Sequence, residues 1–193
     1  MKRLLVFLTL AAFAVMPRAA AQGAQPVSAC GAPLPHAPVL VGMTDTAAYF
    51  PKLKGLRVAV LAQPDWHDAE AFRAMGRPRL GVFIGAGNLD SMVAHYTAAK
   101  RRRSEDFYSP GKRSGCRPDR AAIVYCNRAR EAFGSDMPII LGSLEASLRR
   151  FAHYDYWDDS VRRAILFDAP ADLLVYGMGE AATIEIAHRL KKK

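Results

Sequence analysis

The sequence predicts an α/β fold, with an open, mostly parallel sheet and helices on both of its faces. Apolar runs of the length of buried strands recur along the chain, each ends in a turn rich in Gly or polar residues, and helical periodicity follows most of these turns. Short connections between alternating strands and helices are typical of parallel sheets. The chain has 193 residues, 51% of them hydrophobic, which is enough for one domain with a substantial core.

Residues 1–22 have the pattern of a secretory signal peptide. Two basic residues precede an uncharged apolar run from Leu4 to Met16, which is too short to span a membrane, and the small residues 19–21 offer a cleavage site. By itself this pattern predicts export; the alternative is a misassigned start of the reading frame. Residues 23–54, rich in Ala, Pro and Gly, predict a linker, and the α/β domain is assigned to residues 55–193.

Two strand–turn–helix units open the predicted domain. Leu56–Ala62 and Leu80–Ala86 are compact apolar runs suited to buried strands, and a short helix is predicted over Ala69–Met75. The carboxyl ends of parallel strands form the edge at which such sheets bind ligands. The candidate ligand or interdomain residues at these two ends are Gln63, Asp65, Trp66, Gly85, Gly87 and Asn88.

The positive charge is concentrated between Lys100 and Arg120, where eight cations face three anions in and around a polar loop over residues 104–118. This patch predicts either a solvated face or a site for a phosphate or nucleic acid. No nucleic-acid motif accompanies it, so nucleic acid is not expected as a partner. A helix over Asp119–Phe133 follows, with Cys126 on its buried side.

The cysteines are Cys30, Cys116 and Cys126, an odd number without C-x-x-C spacing. They do not by themselves predict a metal or iron–sulfur site. An exported chain could form one disulfide, whereas a chain that stays in a reducing compartment would keep buried thiols.

Residues 137–163 carry the most distinctive pattern. A strand over Met137–Leu141 is followed by a helix with Leu144, Leu148 and Phe151 on one face, capped by Ser143. The next residues mix aromatic and titratable side chains, which fits either a surface loop pinned by aromatics or a ligand-facing loop. The candidates here are Gly142, Ser143, Glu145, Arg149, Arg150, His153, Tyr154 and Asp155.

Two further strands are predicted near the end of the chain, over Arg163–Phe167 and Leu173–Tyr176. A turn with Gly177, Gly179 and Glu180 leads from the second strand into a final helix, and we expect these three residues at the same ligand edge.

The chain resembles the N-terminal domain of the YgiQ-type radical SAM proteins over residues 56–190. The matching stretches, in the family's order, are RVAVLAQPDWHD, GAGNLDSMVAHYT, GCRPDRAAIVYCNRARE, PIILGSLEASLRRFAHYDYWDDSVRRAIL and ADLLVYGMGE. The resemblance implies a cobalamin-binding-type (flavodoxin-like) domain that precedes a radical SAM barrel in the same chain. In the barrel, a C-x-x-x-C-x-x-C motif holds the [4Fe–4S] cluster that acts on S-adenosyl-L-methionine. The cobalamin motif D-x-H-x-x-G is absent, so cobalamin binding is not implied.

Three departures from the family pattern bear on function. The cluster motif is absent, so we expect this chain to bind no cofactor by itself and to contain no catalytic residue and no metal ligand. The family's first strand–helix unit is missing, so we expect strand 56–62 to have an unpaired apolar edge and the isolated chain to be poorly soluble. Ser143 replaces the second Gly of the family's double-glycine turn.

These observations lead to one hypothesis and one alternative. The first is that the chain is the accessory N-terminal domain of a radical SAM, [4Fe–4S]-dependent enzyme, a fragment without activity of its own, cytoplasmic by resemblance, whose partner is the radical SAM barrel. The alternative is an exported small-ligand-binding module, cleaved after Ala21 and without a membrane span.

Overall fold

The computed structural model describes residues 4–8, 12–13, 56–74, 76–87 and 89–192, and only the backbone of residues 4–8, 12–13 and 57–60. The predicted linker, residues 23–54, lies outside the described residues, as do Asn88, Cys30 and most of the signal-like segment.

Within these ranges the chain forms eight strands and five helices. The strands are β1 (Leu4–Leu8), β2 (Ala12–Phe13), β3 (Arg57–Leu61), β4 (Val82–Gly85), β5 (Ile139–Gly142), β6 (His153–Asp155), β7 (Ser160–Arg162) and β8 (Leu173–Leu174). The helices are α1 (Glu70–Arg73), α2 (Ser91–His95), α3 (Ala121–Phe133), α4 (Ser143–Leu148) and α5 (Glu180–Lys192).

Six strands form one open sheet in the order β2-β3-β1-β4-β5-β8. The pairs β1–β3, β1–β4, β4–β5 and β5–β8 are parallel, and only β2 runs antiparallel to its neighbours. The predicted open, mostly parallel α/β sheet is therefore confirmed. Without β2, the five parallel strands have the order 2-1-3-4-5 along the chain, which is the flavodoxin-like arrangement.

The centre of this sheet is β1, which comes from the signal-like segment. Val6 is the register partner of Ala59 in β3 and of Val82 in β4. The expectation that strand 56–62 has an unpaired edge is therefore wrong, because β3 lies between β1 and β2. A strand that is buried on both faces needs an uncharged apolar run. The composition of residues 4–8 therefore suits a buried strand as well as the apolar part of a signal peptide.

Helices cover both faces of the sheet. Val82 and Ile84 of β4 pack in one cluster with the buried side of α3, whereas Phe83 packs on the other face with Ala187 of α5. Alternate residues of a strand point to opposite faces, so this arrangement follows from the pleat. The predicted buried side of α3 is confirmed, including Cys126.

The segment after α4 differs from the prediction. Arg163–Phe167 does not form a strand; its last three residues form a 3-10 turn, and the Ile165 N–H donates to the Arg149 carbonyl at 2.9 Å. The hairpin β6–β7 was not predicted, because its three-residue strands are too short for an alternating pattern to be recognised.

Two further features concern the cysteines and the length of the helices. Cys116 takes part in a disulfide, whereas Cys126 is free and buried. No helix in the described ranges combines the length and the apolar character that crossing a bilayer requires.

Candidate functional site

The glycine turns after β4, β5 and β8 lie side by side at the carboxyl edge of the sheet. Gly85 is the register partner of Gly142, and the Gly177 N–H donates to Ser147 Oγ of α4 at 3.1 Å. Gly179 must be small, because a Cβ there would lie 2.9 Å from Val175 Cγ1. The structure thus brings together the predicted turn residues of three strands, and Glu180 begins α5 beside them.

Ser143 does not cap α4 as predicted. The N-cap position is Gly142, no side chain caps the helix, and Ser143 is its first residue, with a left-handed φ of 69°. Its hydroxyl is buried and has no hydrogen-bond partner among the described residues. This conformation explains the glycine that the family places here, because a Cβ is unfavourable at positive φ.

The buried side chain of Glu145 in α4 is hydrogen-bonded to the first turns of two other helices, α2 and α3. Its Oε2 accepts hydrogen bonds from the N–H (3.1 Å) and the hydroxyl (2.7 Å) of Ser91, and its Oε1 accepts one from the Ala122 N–H at 3.1 Å. The side chain is fully buried. Burial and the charge of Asp90 raise the pKa of Glu145. These contacts make Glu145 a structural link between α2, α3 and α4.

Asp90 and Arg149 form a second, partly buried link beside Glu145. Asp90 caps α2 by accepting hydrogen bonds from the Met92 and Val93 N–H groups, and its other carboxylate oxygen pairs with the Arg149 guanidinium. Arg149 therefore pairs with Asp90, which lies 59 residues away in the sequence.

The predicted residues after β3 are dispersed. Gln63 is buried and donates from Nε2 to the Tyr108 carbonyl at 2.6 Å, which ties the end of β3 to the loop 104–118. Asp65 pairs with His67 at 2.6 Å on the surface, and the carbonyl of Trp66 accepts a hydrogen bond from Arg128. Of the three, Gln63 has the position and burial that a site at the sheet edge requires.

Asp155 holds the hairpin β6–β7 together. It is buried, accepts hydrogen bonds from the Trp157 and Asp158 N–H groups, and pairs with Arg120 at 3.0 Å. Although burial by itself raises the pKa of Asp155, Arg120 and the N–H groups hold it below its ordinary value. The neighbouring predicted residues are placed differently: the hydroxyl of Tyr154 donates to Asp159 on the surface, and His153 contacts the Phe151 carbonyl.

One fully buried polar pair and one that is half-buried were missed by the sequence analysis. Arg117 binds Asp106 through two hydrogen bonds of 2.9 Å each, and His95 Nδ1 lies 2.6 Å from an oxygen of Asp119. The other oxygen of Asp119 accepts a hydrogen bond from Tyr96, also at 2.6 Å. The sequence offered one indication that this region is ordered or functional, namely the length of the loop 104–118, since long loops in compact domains are often functional.

Exposed apolar side chains lie on α4, just after it, and in the turn between β8 and α5. Leu144, Leu148 and Phe151, the predicted apolar side of α4, are 40%, 59% and 68% exposed, and Tyr176 and Met178 are 63% and 88% exposed. The Arg150 guanidinium lies 4.8 Å from the centroid of the Phe151 ring and 5.2 Å from that of Tyr176, which shows that the two elements adjoin. We call these five apolar residues the α4 face.

The described residues do not fit an iron–sulfur cluster. A [4Fe–4S] cluster of the radical SAM type needs three thiolates, whereas Cys126 is buried in the core with a pKa raised by desolvation and Cys116 is disulfide-bonded. Within the described ranges no three His, Cys, Asp or Glu side chains converge as a metal site would require.

Comparison with known proteins places the chain in a family. The family model described as "Radical SAM N-terminal" matches residues 47–193. A UPF0313 protein of Clostridium botulinum is 58% identical over 138 residues, which are 72% of this chain and 21% of that protein. A UPF0313 protein of Methanocella arvoryzae is 59% identical over 137 residues, 71% of this chain and 23% of its own length. No solved structure gives a significant match.

The chain thus spans about a fifth of the length of these curated relatives. The matched residues include the strands β3 to β8 and all five helices, but not β1 or β2. The chain therefore belongs to the radical SAM N-terminal family, in agreement with the resemblance found in its sequence.

Proposed function

We propose that this chain is the accessory N-terminal domain of a radical SAM, [4Fe–4S]-dependent enzyme, and that it does not cleave S-adenosyl-L-methionine by itself. The observation that carries the proposal is the α4 face. Soluble monomers rarely leave a large contiguous apolar patch exposed, and such patches mark contact surfaces. About four-fifths of the length of the Clostridium botulinum relative lies outside the matched part, and this further sequence supports the proposal because it could supply an element that covers the α4 face.

The α4 face is the surface that we assign to contact with that further part of the enzyme. It lies beside the carboxyl edge of the sheet, where the Gly142 and Gly177 turns are found. The Arg150 guanidinium lies over two of its aromatic rings, those of Phe151 and Tyr176, so this cation is already paired with the apolar surface.

A chimaera tests this assignment in a complete protein. The 138 matched residues of the Clostridium botulinum relative would be replaced by the corresponding residues of this chain, and oxidation of Met178 by peroxide would be followed by mass spectrometry. We expect Met178 to oxidise rapidly in the 193-residue chain and at least about tenfold more slowly in the chimaera, because the α4 face is then covered. The buried Met92 and Met137 serve as internal references.

Two outcomes would contradict the proposal. An unchanged oxidation rate of Met178 in a folded chimaera would show that the α4 face stays exposed. Formation of 5′-deoxyadenosine by the 193-residue chain alone, after anaerobic reconstitution with iron and sulfide, would refute the claim that it is inactive.

The exported binding module remains the second candidate. Cleavage after Ala21 would remove β1 and β2, and with them the central strand of the sheet. The pairing of β1 with β3 and β4 in the sheet therefore favours the accessory domain over the exported binding module.

A further inference from the structure

A cavity of about 540 Å³ lies where the loop 101–108 faces the start of α2. Leu89, Val93 and Ala94 line one side, and the loop lines the other. Its position is the carboxyl edge of the sheet, because Leu89 follows the turn after β4 and Tyr108 is hydrogen-bonded to Gln63 after β3. The strand order reverses between β1 and β4, and open α/β sheets bind ligands at such a switch point.

The lining combines apolar side chains with positive charge. Arg101, Arg102 and Arg103 line the cavity, and Glu105 of the same loop also lines it. None of these three arginines forms an ion pair in the part of the chain that the structure describes. Arg102 lies over the Tyr96 ring, and Arg103 donates from Nε to two backbone carbonyls, whereas the Arg101 side chain has neither kind of contact with the residues that the structure describes.

The wall formed by the loop is held in place before any ligand arrives. Asp106 also lines the cavity, but its charge is matched by the buried Arg117, and it accepts further hydrogen bonds from the Ser109 hydroxyl and the Tyr108 N–H. A preformed wall lowers the entropy that binding must overcome. The excess positive charge at the cavity therefore comes from Arg101, Arg102 and Arg103.

We propose that this cavity binds a small phosphorylated aromatic molecule of the nucleoside-phosphate class. The arginines would hold the phosphate, and the planar ring would lie against the apolar side that Val93 presents. The volume lies in the range of small-molecule sites, and Arg is the side chain best suited to phosphate. A single-stranded nucleic acid would instead need a groove that follows its backbone. This inference is independent of the function proposed above.

Equilibrium dialysis of the 193-residue chain with adenosine 5′-monophosphate tests the proposal. We expect saturable one-to-one binding, with adenosine bound about tenfold more weakly because it lacks the phosphate. Arg101→Gln should weaken binding of the monophosphate by a similar factor, and Val93→Asp should abolish it by placing a negative charge in the cavity. Arg79→Gln is the matched control, since it removes one positive charge at the amino end of β4.

Each other outcome overturns the proposal. Absence of binding, or equal affinity for adenosine and its monophosphate, would refute an anion site. Unchanged binding by both cavity variants, with thermal unfolding curves that show them folded, would place the ligand elsewhere. Tighter binding of an eight-residue oligoadenylate that Val93→Asp leaves intact would indicate a nucleic-acid surface instead.

Discussion

The guanidinium of Arg117 binds both carboxylate oxygens of Asp106 inside the protein, with Nε and Nη2 each 2.9 Å from an oxygen. The two residues are 1% and 2% exposed. Although desolvation by itself raises the pKa of Asp106, the hydrogen bonds of Ser109, Tyr108 and Arg117 hold it below its ordinary value of 3.8. Both residues belong to the loop 104–118, so the pair joins the two ends of this loop, whereas the hydrogen bond from Gln63 to the Tyr108 carbonyl ties the loop to the end of β3.

Replacing Asp106 by Asn should lower the free energy of unfolding by about 3 kcal/mol, because it leaves the buried Arg117 without a counter-charge. Since the pKa of Asp106 is lower in the folded state, the pair stabilises the protein above pH 3.8, and this contribution is lost as the pH falls below that value. Urea unfolding from pH 2 to pH 7 measures both effects. Asp136→Asn, at an exposed ion pair, is the control; an equal loss in both variants would contradict a special role for the buried pair.

Replacing Glu145 by Gln should cost about 2 kcal/mol of stability. Each carboxylate oxygen accepts a backbone N–H, from Ser91 or from Ala122, and the amide of Gln would place an NH₂ group opposite one of them. Urea unfolding measures the change. Glu131→Gln, on the exposed side of α3, should have little effect, and a wild-type stability for Glu145→Gln would show that the link between the helices is not needed.

Replacing Ser143 by Gly should stabilise the protein by about 1 kcal/mol, because its φ of 69° is favourable only for glycine. Ser143→Ala separates backbone from side-chain effects: it removes the unpartnered hydroxyl but keeps the Cβ. In thermal unfolding, Ser143→Gly should have a higher midpoint temperature than both the wild type and Ser143→Ala. A variant with Ala as stable as that with Gly would contradict the backbone explanation.

Replacing Val6 by Pro should abolish cooperative unfolding. Val6 is paired with Ala59 on one side and with Val82 on the other, and Pro removes a donor from the centre of the sheet. Val6→Ile keeps the backbone N–H and should unfold cooperatively. Deletion of residues 1–21 should have the effect of Val6→Pro, and a cooperative transition after that deletion would show that β1 is dispensable.

Much of the fold could be predicted from local pattern. The strands β3, β4 and β8 lie within the predicted runs, β5 ends one residue beyond its predicted run, and α3 has its predicted buried side. These elements carry their signal in consecutive residues, as apolar runs or as helical periodicity. The hairpin β6–β7 and the 3-10 turn at Ile165 carry no such signal, because three residues are too few for a period to appear.

The candidate site depended more strongly on long-range contacts. Glu145 had the position of a first-turn carboxylate on a helix surface, yet the structure buries it against groups that are 54 and 23 residues away in sequence. Asp106 and Arg117 looked like members of a solvated charged loop, and only their mutual burial distinguishes them. Burial of a charge is favourable only when its partners are in place, and sequence spacing does not report those partners.

The sequence by itself therefore determined the strands β3, β4, β5 and β8, the buried side of α3 and the family to which the chain belongs. Only the tertiary structure decided which strand occupies the centre of the sheet. Residues 4–8 have the composition of a signal peptide and of a buried strand alike, since both require a short uncharged apolar run. Pairing with β3 and β4 is what makes this run a strand, because the hydrogen bonds of a strand come from neighbours that its own sequence does not specify.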